Sequence, residues 1–301
     1  MMYTVLGATG NIGSVVTRIL LGKGERVRVY GRHGGRLQAF AQKGAEAFVG
    51  DVTDSRALTK AFTGARAAFL MIPSAMRSPD YRTDQERATD TISIAAKNAG
   101  LQYAVNLSSV GAHLAASTGP IVGLHFSERK LNAIDRLNVL HLRSAYFFEN
   151  LLPGISMIQL MGIFGGALKS DLRIPMIATR DIGAYVAERL FKLDFTGKST
   201  QDLLGQRDLR MSEVVAVMGK ALGKADLRYV QFPYDEVEKV LVQMGTPRKT
   251  AALFTEMFRA FNDGTVRPTE TRSARNTTPT SIENFVKERF VPAYQGIAVG
   301  A

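Results

Sequence analysis

Met2-Tyr3-Thr4-Val5-Leu6-Gly7-Ala8-Thr9-Gly10-Asn11-Ile12-Gly13 is the stretch that decides how this sequence folds. A short apolar strand runs straight into three glycines spaced as G-x-x-G-x-x-G. Behind them Ile12, Val15, Val16, Ile19 and Leu20 recur at helical spacing, so the glycines occupy a strand-to-helix turn. In that setting Gly7 permits the tight turn and Gly10 lets the backbone approach a pyrophosphate, while Gly13 lets the helix pack on the strand. The helix N-terminus then offers free N–H groups and a partial positive charge to phosphates. A glycine turn without a ligand has the same spacing. The position in the first turn of a repeating βα series favours phosphate binding.

That series continues outward from the turn. Gly22 and Gly24 stop the first helix, and Arg26 to Tyr30 form the next strand. Leu37 to Lys43 reads as a helix and Ala47-Phe48-Val49 as a strand. Asp54 to Phe62 reads as a helix capped by Thr53 or Asp54. Ala67 to Ile72 is a continuous apolar strand, as a sheet covered on both faces requires. A helix from Asp80 to Ala99 follows, then a fifth strand, Tyr103 to Leu107, with Ser108 and Ser109 at its end. A helix around Phe126 to Leu137 leads to a sixth strand, Val139 to Leu142. The rhythm predicts the α/β class: a doubly wound parallel (Rossmann) sheet with right-handed crossovers.

Beyond residue 150 the rhythm loosens. Leu151 to Met161 reads as a helix, and Asp181 as the cap of a helix through Leu193. Met211 to Leu222, Tyr234 to Met244 and Thr250 to Asn262 read as amphipathic helices. Thr265 to Thr280 is polar, basic and Pro-containing, and reads as a surface loop. This half is expected to be smaller, mostly helical and packed at the carboxyl edge of the sheet.

The end of the second strand reads the cofactor. A free ribose 2′-OH is usually met there by Asp or Glu, about 20 residues beyond the glycines. Here the segment is Tyr30-Gly31-Arg32-His33, with Arg36 nearby and no carboxylate. Arg32 can pair with a 2′-phosphate through its guanidinium fork, which favours NADP(H) over NAD(H). A solvated surface arginine is the alternative. The expected division is an NADP(H)-binding Rossmann domain over residues 1–150. Residues 151–301 would then form a substrate- or partner-binding region interleaved with the sheet edge.

At these residues a family resemblance appears. Gly7 to Gly13, Gly31-Arg32, Gly50-Asp51-Val52, Ile72-Pro73 and Asn106-Leu107-Ser108-Ser109 resemble the NmrA-like branch of the atypical short-chain dehydrogenases/reductases. So do Leu142 to Asn150 and Thr179-Arg180-Asp181-Ile182-Gly183, so the likeness spans roughly residues 2–190. The resemblance implies that Gly7, Thr9, Gly10, Asn11 and Ile12 wrap the pyrophosphate and that Arg32 binds the 2′-phosphate. It also implies that Asp51 and Val52 border the adenine, with Met71, Ile72 and Pro73 lining the cofactor towards its nicotinamide. The family includes NADPH-dependent quinone reductases, and also proteins that only sense the NADP(H) redox state to regulate partners.

One departure stands out. Better-known members of the superfamily use a Tyr, a Lys four positions later, and a Ser ending the fifth strand. No Tyr-x-x-x-Lys occurs here, while Ser108 and Ser109 keep the strand-end hydroxyls. His125-Phe126-Ser127-Glu128-Arg129-Lys130 opens a helix where the Tyr segment is expected, with His125 and Arg129 on one face. The expectation is that His125 donates the proton, that Ser108 belongs both to the catalytic set and to the residues contacting the cofactor, and that Arg129 or Lys130 holds the nicotinamide ribose. A capping or loop histidine is the alternative, and a quinone can take its proton from water. Tyr146, Phe147 and Phe148 follow the sixth strand, where open α/β sheets bind ligands. They read as an aromatic wall for a flat apolar substrate, with Asn150 as a polar contact. A plain core cluster explains them equally well.

Composition narrows the rest. The 301 residues hold no Cys, so there is no disulfide framework, thiolate zinc site or cysteine nucleophile. Four scattered histidines, His33, His113, His125 and His141, match no metal-ligand spacing. No Gly-x-Ser-x-Gly elbow is present. Lys and Arg number 38 against 27 Asp and Glu, a formal charge of +11. The basic residues are dispersed with no nucleic-acid-binding module, so nucleic acid is not an expected partner. No stretch approaches the ~20 apolar residues of a membrane span, and no signal segment is visible, so a cytoplasmic protein is expected. The function expected is an NADPH-dependent reductase acting on a small quinone-like or carbonyl acceptor. The alternative is a non-catalytic NADP(H) sensor with a protein partner, and a homodimer is an assembly either one allows.

Overall fold

The computed structural model describes residues 1–297. In it β1 (Met2–Leu6) feeds α1 (Asn11–Gly22), and the unit repeats through β2 (Arg26–Gly31), α2 (Gly34–Ala41), β3 (Glu46–Val49) and α3 (Ser55–Phe62). It continues through β4 (Ala67–Leu70), α4 (Tyr81–Asn98), β5 (Tyr103–Ser109), α5 (Ile121–Asn132) and β6 (Asn138–Ser144). After β7 (Tyr146–Phe147) come a 3₁₀ turn (Phe148–Gly154), α6 (Ile155–Met161), β8 (Ile163–Gly166) and β9 (Ile174–Ile177). The chain then returns to the main sheet through α7 (Thr179–Lys192) and β10 (Lys198–Leu203). The remainder is β11 (Asp208–Leu209), α8 (Met211–Leu222), β12 (Arg228–Gln231), α9 (Tyr234–Gln243) and α10 (Arg248–Asn262). It ends in α11 (Ile282–Phe285), a π turn (Val286–Phe290) and α12 (Val291–Tyr294).

Seven parallel strands form the central sheet in the order β10-β6-β5-β4-β1-β2-β3. The order reverses between β1 and β4, the switch point at whose carboxyl ends open α/β sheets bind ligands. Alternate residues along each strand feed two different cores. Tyr3, Val5, Val29, Val105 and Leu140 pack with Val16, Leu20, Ile182 and Val186 of α1 and α7 on one face. Leu6, Tyr30, Ala68, Ala104 and Val139 pack with Leu58, Phe62, Ile92 and Leu131 of α3, α4 and α5 on the other. A third core joins Phe148, Met176, Val214, Phe285 and Phe290 in the C-terminal region. No helix among the described residues is long and apolar enough to cross a membrane.

Gly183 explains one segment whose spacing had no physical reading. A Cβ there would lie 2.6 Å from Val15 Cβ and 3.0 Å from the Ile12 carbonyl, so only glycine lets α7 cross α1 this closely. That crossing props the helix that carries the glycine turn.

Three local expectations need correcting. α5 begins at Ile121, behind Pro120, and ends at Asn132, so His125 lies in its second turn and not at its start. Asp181 does not cap α7, whose N-cap is Ala178. Its buried carboxylate accepts from Thr280, at 2.9 Å from the amide and 2.6 Å from the hydroxyl. The segment expected as a surface loop over 265–280 is irregular, yet it buries Val266, Asn276, Thr278 and Thr280. Asp202 holds it by accepting from the Thr269 amide at 2.6 Å and the Glu270 amide at 2.8 Å. A polar composition signals exposure only where no carboxylate waits inside to satisfy the backbone.

Candidate functional site

The glycine turn closes on itself. Gly10 N–H donates to the Gly7 carbonyl at 2.9 Å, and Gly7 adopts φ +61°. A Cβ on Gly13 would lie 2.3 Å from the Gly7 carbonyl oxygen, so the helix can seat on the strand only with glycine there. α1 has no side-chain cap at its N-cap Gly10 and no acidic residue in its first turn. Its uncapped N–H groups and the positive end of its dipole are therefore open to an anionic group. Ala8 and Ile12 are buried beneath the turn, whereas Asn11 is exposed and Thr9 half-exposed.

The ends of β2 and β3 flank this turn. The Arg32 side chain is 64% exposed, with Nε 4.0 Å from Asp51 Oδ2. The sequence reading found no carboxylate near Arg32, because Asp51 reaches it across the β2–β3 gap from another strand end. Asp51 is itself ordered: Oδ1 accepts from Thr53 N at 2.9 Å and Thr53 Oγ1 at 2.7 Å, and its carbonyl accepts from the Tyr30 hydroxyl at 2.8 Å. Burial pulls the Asp51 carboxyl up, but these Thr53 hydrogen bonds and the Arg32 charge hold it below the ordinary aspartate value. Val52 is half-buried beside it.

On the other side of the switch point lies a cavity of about 280 Å³. Met71 and Ile72, just past β4, line it with Tyr146, Phe147, Asn150 and Phe261. Because β4 ends at Leu70, these two residues leave the hydrogen-bonded ladder and are free to face the cavity. Met71 also reaches the glycine turn, its sulfur 3.0 Å from where a Cβ on Gly7 would stand. Turn and cavity thus form one continuous surface. A larger hollow, about 430 Å³ and lined by Lys97, Tyr103, Arg136 and Asn138, sits at the amino ends of β5 and β6. The G-x-x-G-x-x-G turn of residues 7–13 is not in its lining, and ligands of such sheets bind at the carboxyl edge, so the smaller cavity is the candidate.

The predicted aromatic wall divides. Tyr146 and Phe147 line the cavity, and Tyr146 meets Phe261 edge to face with centroids 6.4 Å apart. Phe148 is buried instead against Phe285, at 5.2 Å between centroids. Burial pushes the Tyr146 hydroxyl up to about 12, so it stays protonated at neutral pH. Sequence reasoning missed Tyr81, Leu124, Met257 and Phe261, which complete the lining from α4, α5 and α10. Nothing local in the sequence marks them, since three helices far apart in the chain bring them together.

The expected proton-transfer residues separate too. Ser108 and Ser109 line the cavity. His125 does not belong to the lining, where Ile121 and Leu124 represent α5. Its Nδ1 stands 2.9 Å from the Ala112 carbonyl, and its ring lies edge-on to Phe126. Arg129 is exposed, and Lys130 pairs with Asp90 on the outer surface of α4. What backs Ser108 is an ion pair the sequence reading missed. Arg143 and Glu128 side chains are 11% and 6% exposed and bridge at 2.6 Å. Two opposite charges separated by 15 positions carry no local signal; the register pairing Ser108 with Arg143 across β5 and β6 creates the site.

Comparison with known proteins adds a family. The model of the NmrA-like family matches residues 2–286. An NAD(P)H azoreductase of Xenophilus azovorans is 25% identical over 259 residues, covering 85% of this chain and 86% of that one. The crystal structure of NADPH-dependent quinone oxidoreductase QOR2 from Escherichia coli, complexed with NADPH, superposes with a TM-score of 0.81 at 22% identity. The match covers 96% of this chain and all of that one (100%). NmrA, a negative transcriptional regulator crystallised with NADP, gives a TM-score of 0.67 at 19% identity, over 98% and 97% of the two chains. At such identities the structural likeness is one of fold.

Proposed function

The chain belongs to the NmrA-like family, and from that premise we propose that it is an NADPH-dependent reductase delivering hydride to a small quinone-like or carbonyl acceptor. One observation carries the reading: Met71 touches the glycine turn and lines the apolar cavity, so a dinucleotide laid along the turn ends where an acceptor fits. The uncapped, acid-free start of α1 suits the phosphates of such a cofactor.

In this reading Gly7, Thr9, Gly10, Asn11 and Ile12 wrap the pyrophosphate, with Asn11 and Ile12 offering the free N–H groups at the start of α1. Arg32, exposed enough to turn from Asp51, takes the 2′-phosphate, while Asp51 and Val52 border the adenine. Met71, Ile72 and Pro73 flank the reactive ring, and Tyr146, Phe147 and Asn150 receive the acceptor. Residues 1–150 carry the cofactor, and residues 151–301 close the acceptor cavity through Met257 and Phe261. Bound NADPH would supply the hydride; the protein orients the partners and keeps the cavity apolar. His125 stands outside the lining, and in this reading the acceptor oxygen takes its proton from water or from the protonated Tyr146 hydroxyl.

The test is direct. Purified protein is mixed with NADPH and a panel of quinones and small carbonyl compounds, and loss of the reduced-nicotinamide absorbance band is followed. Turnover above the uncatalysed rate is expected. A second reading, a redox sensor acting through a protein partner, is favoured by the missing Tyr-x-x-x-Lys pair. Firm NADPH binding with no turnover on any acceptor would replace the reductase by the sensor.

A further inference from the structure

We propose that Glu128, clamped by Arg143, is a positioning residue that fixes Ser108 as a hydrogen-bond acceptor for the carboxamide amino group of a bound nicotinamide. The proposal rests on the cofactor part of the reading above.

The hydrogen-bond inventory leaves little freedom. Arg143 donates from Nε to Glu128 Oε1 at 2.9 Å and from Nη2 to Oε2 at 2.6 Å. Ser108 Oγ donates to the same Oε1 at 2.6 Å. Burial alone would push the Glu128 carboxyl up, yet the hydrogen bonds from Arg143 and Ser108 hold it below the ordinary glutamate value. It is therefore a carboxylate, which accepts and has no hydrogen to give. A guanidinium only donates, so it cannot take the Ser108 hydrogen either. That single hydrogen must point at Glu128, and only oxygen lone pairs remain for the cavity.

The neighbouring hydroxyls behave alike. Ser109 Oγ donates to the Val110 carbonyl at 2.9 Å, and Ser144 Oγ to the Ser108 carbonyl at 3.2 Å. The carboxyl ends of β5 and β6 thus meet a ligand with acceptors. A quinone or ketone oxygen is itself an acceptor and is repelled there. A carboxamide amino group is a donor and is welcomed, and Ser108 shares the lining with Met71 and Ile72, where the reactive ring is read. A buried ion pair is seldom needed for stability, since an apolar pair of like volume often serves as well. Orientation of Ser108 gives this one a use.

The experiment measures binding, not turnover. Dissociation constants are compared for NADPH and for its 3-acetylpyridine analogue, in which a methyl ketone replaces the amide and removes the donor. Wild type is expected to favour NADPH by about fivefold, the worth of one net hydrogen bond. Ser108→Ala should bring the ratio to about one. The double variant Glu128→Met/Arg143→Met removes both charges together, so neither is left buried and unpaired. It should keep its Tm yet also lose the preference, because the Ser108 hydrogen is then free to turn. If Ser108→Ala or the folded double variant keeps the wild-type ratio, the pair is structural only and the proposal fails. If wild type does not bind NADPH at all, the cofactor reading falls and takes this proposal with it.

Discussion

The Met71 sulfur stands 3.0 Å from the point where a side chain on Gly7 would begin, so the turn and the cavity wall are fitted to each other. Gly7 also has φ +61°, a region that costs a residue with a Cβ about 1 kcal/mol or more. Gly7→Ala should therefore displace Met71 and distort the turn at once. A modest fall in Tm is expected together with at least a tenfold weaker NADPH affinity, measured by fluorescence titration. Wild-type affinity in a folded Gly7→Ala protein would remove the turn from the cofactor site.

Arg32 has a competitor in Asp51, whose Oδ2 lies 4.0 Å from its Nε. Both side chains are substantially exposed, so their attraction is weak and a doubly charged phosphate should win. Arg32→Glu is expected to weaken NADPH by roughly tenfold to a hundredfold, the range of a charged hydrogen-bonded pair, and to leave NADH nearly unchanged. Asp51→Asn should strengthen NADPH slightly by releasing Arg32. Equal losses for both cofactors in Arg32→Glu would take Arg32 off the 2′-phosphate.

His125 offers a negative prediction. Its Nδ1 faces the Ala112 carbonyl, and α5 presents Ile121 and Leu124 to the cavity in its place. At saturating NADPH, His125→Ala should reduce a quinone at the wild-type rate, with a small loss of stability from the missing hydrogen bond. A large fall in turnover without a change in Tm would return His125 to the proton path.

These residues also show what the sequence made legible. Glycine spacing and strand rhythm, both local properties, marked the βα series, the turn and the sheet edge at which the cavity opens. Ser108, Tyr146 and Asn150 were reachable because they follow strands whose ends could be counted. His125 was misjudged because α5 starts five positions earlier, at Ile121 and not at Phe126, so the turn of Ile121 and Leu124 meets the cavity and His125 lies past it. Pro120, now at the cap, was the available signal. Glu128, Arg143 and Phe261 were beyond reach for another reason: strand register and the packing of distant helices decide what they touch, and neither is written locally. Basic residues, too, find their acidic partners only in three dimensions, as with Arg28 on Glu46 and Arg207 on Glu283, and such pairs leave the net excess as it stands.

His141 supplies a pH dependence that follows from its partners. The ring is fully buried in β6, with Nε2 2.9 Å from Asn132 Oδ1 and Nδ1 3.1 Å from Asn106 Nδ2. A neutral imidazole donating from Nε2 and accepting at Nδ1 satisfies both neighbours; a second proton would set N–H against N–H. Burial pushes the pKa down from 6.5 to about 4; Glu128 opposes the shift, while Arg143 and Lys198 reinforce it. The unfolded chain, with an ordinary histidine, therefore binds more protons than the fold between these two values. Stability is complete above 6.5 and falls as the pH drops towards 4. The loss from this residue is on the order of 3 kcal/mol. His141→Gln cannot take up that proton, so its unfolding free energy by urea titration should start lower at pH 7 and decline less steeply to pH 4. Parallel slopes for the two proteins would mean that other groups carry the acid sensitivity.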